Sequence, residues 1–287
     1  MRLAYYPALA LGLASPALAQ DGPPVETETA MPPIGETVFD GDWLSVGVGA
    51  AYSPSYDGSD DYVVSVLPIV QGSFAGVDLN PRPGGLALDF VPDAADGPGF
   101  DFGVAARIRG NRASDIKDPV VASLGELETA IEVGPTAGVS FPRLLNPYDS
   151  LSFNVDARWD VAGAHKGKVI DPSVTYFTPL SRGAIASLSL GAEYADGDYA
   201  DYYYSIDAAD SATSGLAQFD AGSGFTKASA TLLLGYDLDG DATNGGLALV
   251  GIGGYSRMLG DAKRTPFTSV RGDADQWFVG AGIGYTF

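Results

Sequence analysis

Residues 277–287 read WFVGAGIGYTF. Trp277, Val279, Ala281, Ile283, Tyr285 and Phe287 take alternate positions, and Gln276, Phe278, Gly280, Gly282, Gly284 and Thr286 take the others. Side chains alternate faces along a strand. The segment therefore presents one apolar face with aromatics at both ends, and one face that is mostly small or polar. Final residues of a soluble domain usually fray into water. Here Tyr285 and Phe287 read instead as the closure of a barrel, with the last strand pairing with the first, WLSVGVGAAY (43–52), so that no open edge is left in lipid.

The same alternation recurs upstream. In LSFNVDARWDV (151–161), Leu151, Phe153, Val155, Ala157, Trp159 and Val161 oppose Ser152, Asn154, Asp156, Arg158 and Asp160. In FDFGVAARIR (100–109), Phe100, Phe102, Val104, Ala106 and Ile108 oppose Asp101, Gly103, Ala105, Arg107 and Arg109. LETAIEVGPTAGVSF (127–141) puts Glu128 and Glu132 on one face, and AIASLSLGAEY (184–194) carries Glu193 opposite Leu188, Leu190 and Tyr194. Segments of about ten residues match a tilted strand crossing a bilayer. A soluble β-sandwich would also alternate; an export signal and aromatic-ended strands favour the membrane.

That signal is MRLAYYPALALGLASPALAQ (1–20). Arg2 precedes a short apolar stretch, and Ala17-Leu18-Ala19 forms an A-x-A cleavage site. As a membrane anchor it is too short and is interrupted by Pro7 and Pro16. Residues 1–19 are thus expected to be a signal peptide. Residues 20–42 read as an acidic, Pro-rich periplasmic tail, and 43–287 as the barrel. The chain has no Cys, which removes lipoprotein and disulfide readings. A net charge of -20 removes nucleic acid as a partner, since phosphate binding needs Lys and Arg.

The expected fold is all-β, a transmembrane antiparallel β-barrel. Strands are expected near 43–52, 62–71, 72–79, 85–91, 98–108, 127–139, 149–162, 170–180, 183–194, 225–237, 245–257 and 275–287. These make about twelve; the third and fourth are the weakest, which leaves ten open. The connections alternate between long and short, as in bacterial outer-membrane barrels.

Several segments also carry a family resemblance. GVGAAYSPSYDGSDDYVVSVLPIV (47–70) resembles the opening of the MipA/OmpV family, in Pro54, Tyr56, Gly58, Ser59, Asp60, Asp61 and Pro68. SATSGLAQFDAGSGF (211–225) and the stretch from Ser256 to Phe287 resemble the later family segments, with Thr265 where a typical member has Ser. The terminal aromatic also resembles the signal read by the barrel-assembly machinery. The resemblance implies a cell outer membrane protein in contact with outer-membrane lipid and lipopolysaccharide. It further implies a non-enzymatic scaffold for peptidoglycan-processing enzymes, notably a murein lytic transglycosylase, and brings no catalytic residues, cofactor or metal. The alternatives are a channel for small cationic solutes and a surface adhesin.

Catalytic motifs are weak on the residues themselves. His165, in AGAHKGK, is the only His, and a hydrolase would need a serine and an orienting group beside it; a solvated loop side chain is the plainer reading. SDIK (114–117) lacks the companions of a penicillin-binding enzyme. DLDGDATNGGLA (237–248) has Ala242 and Ala248 where a calcium loop needs Gly and Glu, and reads as a tight turn. GIGGYS (251–256) opens no helix and so is no dinucleotide fingerprint. Arg107, Arg109, Glu128, Glu132, Asp156, Arg158, Asp160, Glu193 and Lys227 are expected to line the lumen, as ion pairs filling it or as a selectivity lining. Asp57, Asp60 and Asp61, and Asp196, Asp198 and Asp201 among Tyr199, Tyr202, Tyr203 and Tyr204, read as a solvated rim or as a cation-bridging or adhesive surface.

Overall fold

A computed structural model describes residues 37–92 and 97–287. The expected signal peptide and most of the expected acidic tail lie outside the described residues. Twelve strands run β1 Trp43–Pro54, β2 Tyr62–Phe74, β3 Val77–Arg82, β4 Gly85–Asp89, β5 Gly99–Arg109 and β6 Ala130–Pro142, then β7 Ser150–Asp160, β8 Lys168–Ser181, β9 Ala184–Ala195, β10 Gly224–Asp237, β11 Gly246–Met258 and β12 Asp275–Thr286. Each pairs antiparallel with its chain neighbours, and β1 pairs with β12, so the sheet is a closed barrel.

Register follows from the alternation. Val46, Val48 and Ala50 of β1 stand opposite Tyr285, Ile283 and Ala281 of β12, and directly opposed residues share a face. That face carries exposed Val46, Val48, Tyr52, Val279, Ile283 and Tyr285. Shifting the pairing by one residue would turn this whole set into the lumen. The other face brings Gly47 against Gly284 and Gly49 against Gly282. A Cβ on Gly49 would lie 2.5 Å from the Ala281 carbonyl oxygen, so the closing seam needs glycine on its lumen side. The Phe287 N–H donates to the Leu44 carbonyl at 2.9 Å, and the Phe287 ring packs on Tyr285 with centroids 4.7 Å apart.

Several strand boundaries differ from the sequence expectation, most of all in β2, β3 and β6. The β2–β3 turn falls at Ala75-Gly76 instead of Gln71-Gly72, because both residues take positive φ there. Strand β6 starts at Ala130, three residues late, and β3 and β4 are short, with six and five residues. Trp43 faces the lumen. It pairs with Ser73 on the lumen side and packs edge-on against Phe39, centroids 4.9 Å apart. Phe39 belongs to a 3-10 turn, Val38–Asp40, whose Val38 N–H donates to the Thr243 carbonyl. Trp159 and Trp277 do face outward, near the opposite end of the wall.

The end with short turns is trimmed by carboxylates. Asp149 accepts N–H groups of Leu144, Leu145 and Asn146, which holds the Leu144–Leu145 tip out in the open. Asp237 accepts those of Asp239, Gly240 and Asp241, and this fixes the 238–245 connection as a tight turn. Hydrogen bonding by Arg182 holds the Asp241 carboxyl down at about 2. The long-loop end is different: its connections fold into short helices, α1 Pro119–Ala122, α2 Gly197–Tyr204, α3 Ala208–Ser214, α4 Gly260–Arg264 and α5 Pro266–Ser269.

Candidate functional site

Below the long-loop end, six strands deliver charge to the lumen. Arg109 is the hub. Its Nε donates to Glu132 Oε1 at 2.5 Å, Nη2 to Glu193 Oε2 at 2.7 Å and Nη1 to the Tyr199 hydroxyl at 2.7 Å. Glu132 also accepts from Arg158 Nε at 3.3 Å, and Arg158 binds Asp156 at 3.0 Å and Asp171. Arg107 reaches Glu193 at 3.2 Å. Links also cross the lumen instead of following the sheet: Arg107 and Arg109 to Glu193 join β5 to β9, and Arg82 Nε to Asp156 Oδ2, at 3.1 Å, joins β3 to β7. Arg109, Glu132, Asp156, Arg158 and Glu193 are all buried, with Glu132 fully so. Desolvating such charges costs several kcal/mol each, and only multiple hydrogen bonds offset it; Thr136 and Thr226 hydroxyls supply two more, to Asp156 and Glu193.

Two residues expected in this lining are elsewhere. Glu128 precedes β6 and is exposed; only its backbone N–H is engaged, by the Tyr202 hydroxyl. Asp160 shares a face with Glu132 in the register, but loop amides occupy its carboxylate. It accepts from Ala162 and Gly163 at 2.9 and 3.2 Å and from Lys166 at 3.0 Å. These bonds fix the Asp160–Lys166 turn, which swings His165 inward.

His165 is therefore buried, contrary to the expectation of a solvated side chain. Its Nδ1 accepts the Gly167 N–H at 3.1 Å. Nε2 stands 3.3 Å from Glu132 Oε1. The ring packs against Tyr199 and Tyr203 at 5.0 and 5.7 Å. No serine hydroxyl is among these partners, so the arrangement lacks the nucleophile of a triad. His165 joins the ion network to the layer above it.

That layer is a plug. Asp196 caps α2 by accepting the Tyr199 N–H. One face of α2 then buries Tyr199, Ala200, Tyr203 and Tyr204 with Val169, Ala195, Met258 and Ala262. The acidic-aromatic stretch is thus not an adhesive surface of tyrosines, because three of the four rings are in the interior. Burial pushes the Tyr199 and Tyr204 hydroxyls well above the usual phenol range. A second cluster joins Tyr56, Val121, Ile206, Leu216 and Phe267, with the Arg112 guanidinium 4.2 Å over the Phe267 ring. Burial, with the charge of Asp118, pushes Tyr56 up to about 12.

The residues Pro54 to Asp61 hold this plug to the wall. Gly58 has φ +97°, and a Cβ there would meet Thr268 Oγ1 at 2.2 Å, so the loop requires glycine. Its carbonyl accepts the Asp273 N–H, and the Ser59 carbonyl accepts Gln276 Nε2 at 2.9 Å. Asp57 binds Lys227 Nζ at 3.2 Å, and its N–H donates to Asn111 Oδ1 at 2.9 Å. Asp60 and Asp61 are exposed; the Asp61 carbonyl accepts the Ser55 N–H, and the Asp61 N–H donates to Ser59 Oγ at 3.1 Å. Pro68 lies in the middle of β2, opposite Val48.

Comparison with known proteins places the chain in a family. The family described as MltA-interacting protein MipA matches residues 46–287. No curated protein matches. Among solved structures, an outer membrane channel from Pseudomonas putida F1 is 14% identical with a TM-score of 0.44, over 92% of this chain and 99% of that one. The toluene transporter TbuX of Ralstonia pickettii is 10% identical with a TM-score of 0.36, over 88% of this chain and 90% of that one. At such scores the likeness bears no functional argument. The match begins at Val46, inside β1, and runs through β12, and the barrel's lipid-facing belt and β1–β12 closure suit a bilayer. The chain belongs to the MipA family, and it is a twelve-stranded β-barrel of the outer membrane.

Proposed function

We propose that this barrel is a non-enzymatic scaffold that holds a peptidoglycan-processing enzyme, a murein lytic transglycosylase, at the inner surface of the outer membrane. The family's description as an interacting protein points to such a partner. The observation that carries the reading is the obstructed lumen: a buried layer of ion pairs crosses it, and a packed plug covers it. A diffusion channel for small cations needs a hydrated path past that layer, and Arg109, Glu132, Arg158 and Glu193 are almost wholly inaccessible. Polypeptide contacts from the periplasm then fall to the short-turn end and the acidic tail before Thr37. On the short-turn end, Leu144 and Leu145 stand 51% and 77% exposed on a turn fixed by Asp149. A rigid apolar tip of this kind is suited to bury itself against a partner.

The test is co-purification of the transglycosylase with the solubilised barrel, at several salt concentrations. Deleting Gly22–Gly35 and replacing Leu145 by Asp should each lower recovery while heat-modifiable migration shows an assembled barrel. Undiminished recovery from the doubly altered protein would remove the scaffold role. Salt-dependent, cation-selective conductance in planar bilayers would favour the channel reading instead.

A further inference from the structure

The barrel wall is incomplete at one seam. Strand β2 has thirteen residues, yet it pairs with β3 only through Gly72, Ser73 and Phe74. On its other edge it pairs with β1 from Tyr62 to Ser73. Strand β3 ends at Arg82, and its tip turns back at Pro83-Gly84, where the Gly84 carbonyl accepts the Ile108 N–H of β5. Continuing the register would set Arg82 level with Ile69. The free edge of β2 from Tyr62 to Gln71 therefore has no strand partner among the described residues. Its upper seven residues span roughly 20 Å of strand above the hairpin tip. The opening is framed on all sides: β2 on one, the β3–β4 hairpin and the end of β5 on the other, and the three-residue ladder below. The Asp57–Asn111 hydrogen bond closes it above.

Two further observations mark this as a built opening. Val64 and Val66 are the most exposed large apolar residues on any described strand, at 72% and 74%. Ser65 and Gln71 are exposed although their register places them on the lumen side, opposite Ala51 and Ser45. Proline sits on both banks, Pro68 in β2 and Pro81 in β3. Proline cannot donate to a ladder, so it keeps an edge from zipping shut or from accepting a foreign strand.

We propose that this window is a lateral entrance by which a small, neutral, apolar molecule passes between the bilayer and the lumen. This goes beyond the scaffold role and does not depend on it. The axial route is blocked by the plug, so a molecule in the lumen beside β2 meets the outside through the wall. The lumen side of β2 there offers Val63, Leu67 and Ile69. The charges facing it are balanced among themselves: Arg82, Arg107, Arg109, Arg158 and Lys227 are each paired with one or more of Asp57, Glu132, Asp156, Asp171 and Glu193. At these pairs an ionic ligand would have to displace an existing partner, whereas an apolar one loses only lipid contacts and gains the wall of β2.

The full chain has no cysteine, so a single thiol can be placed on the sill without background. The Ser65→Cys variant in vesicles is labelled with a neutral alkyl diazirine, before and after reaction with a bulky methanethiosulfonate. Labelled residues are read by mass spectrometry. Lumen-side Val63, Leu67 and Ile69 should be labelled, labelling should fall several-fold with the thiol blocked, and reductant should restore it. Lipid-facing Val48 should be labelled equally throughout, which separates a closed window from a disturbed barrel. Labelling confined to lipid-facing residues, or lumen-side labelling indifferent to the block, overturns the proposal. So does a thiol in the Ser65→Cys variant that is protected in native membranes but reactive in purified vesicles, because that result assigns the edge to a partner strand.

Discussion

Glu132 shows what the interior of this barrel asks of a single residue. Its two oxygens serve Arg109 and Arg158, and His165 approaches the first of them, all without solvent. Removing one partner of a buried network leaves the others charged and unpaired. Glu132→Gln keeps the shape and deletes the charge. It should lower the unfolding free energy by about 3–5 kcal/mol, the usual cost of a broken buried pair, as measured by urea titration in vesicles. A loss below about 1 kcal/mol, the range of exposed pairs, would mean that water reaches the two guanidinium groups.

At the scale of one element, β12 carries the clearest division between faces. Ile283 is 49% exposed and lies opposite Val48 on β1 and Leu249 on β11, in the middle of the lipid belt. A lysine on that face near the bilayer midplane costs roughly 2–4 kcal/mol. Ile283→Lys should therefore slow or prevent assembly, seen as loss of the compact, heat-modifiable form on electrophoresis. Normal assembly would place Ile283 at an interface and shift the register of the closing seam. On the inner face of the same strand a Cβ at Gly282 would lie 2.8 Å from the Val48 carbonyl oxygen, so β1 passes too close there for a side chain.

The whole molecule depends on ties between loops far apart in the chain. Asp118 caps α1 by accepting the Val120 and Val121 N–H groups, and its other oxygen takes Arg271 Nε and Nη2 at 3.0 and 2.5 Å. Burial alone would raise its pKa; the Arg271 and backbone hydrogen bonds outweigh that and lower it. A carboxyl with a depressed folded pKa contributes stability that is present above its unfolded value, near ~3.9, and is lost as pH falls through the lower folded value. Acidification below about pH 4 should loosen the plug before the barrel opens. Limited proteolysis with an acid-active protease should then cut between Asn111 and Glu128 while β-sheet circular dichroism persists, and Asp118→Asn should permit the same cuts near neutral pH. A plug that resists in both cases would show that its two apolar clusters hold it without the Asp118–Arg271 tie.

Read alone, the sequence determined the class of fold, a strand number of about twelve and, in the segments that alternate clearly, which face meets lipid. It could do so because a strand's side chains alternate with a period of two, and a bilayer demands apolar residues on one side of every strand. It also pointed to Arg107, Arg109, Glu128, Glu132, Asp156, Arg158, Asp160, Glu193 and Lys227 as one set, of which Glu128 and Asp160 stand outside the network. Only the tertiary structure decided what these residues touch. Arg109 meets Glu193 across the lumen and Arg82 meets Asp156, and such pairs depend on barrel diameter and strand stagger, which no local pattern encodes. The burial of His165, Tyr199, Tyr203 and Tyr204 was likewise hidden. Asp196 caps the helix that carries Tyr199 and Tyr203, but which surface that helix covers is set by other parts of the chain that pack against it. The open seam beside β2 belongs to the same category: Pro68 and Pro81 are visible in the sequence, but a gap exists only where two strands of unequal length are placed side by side.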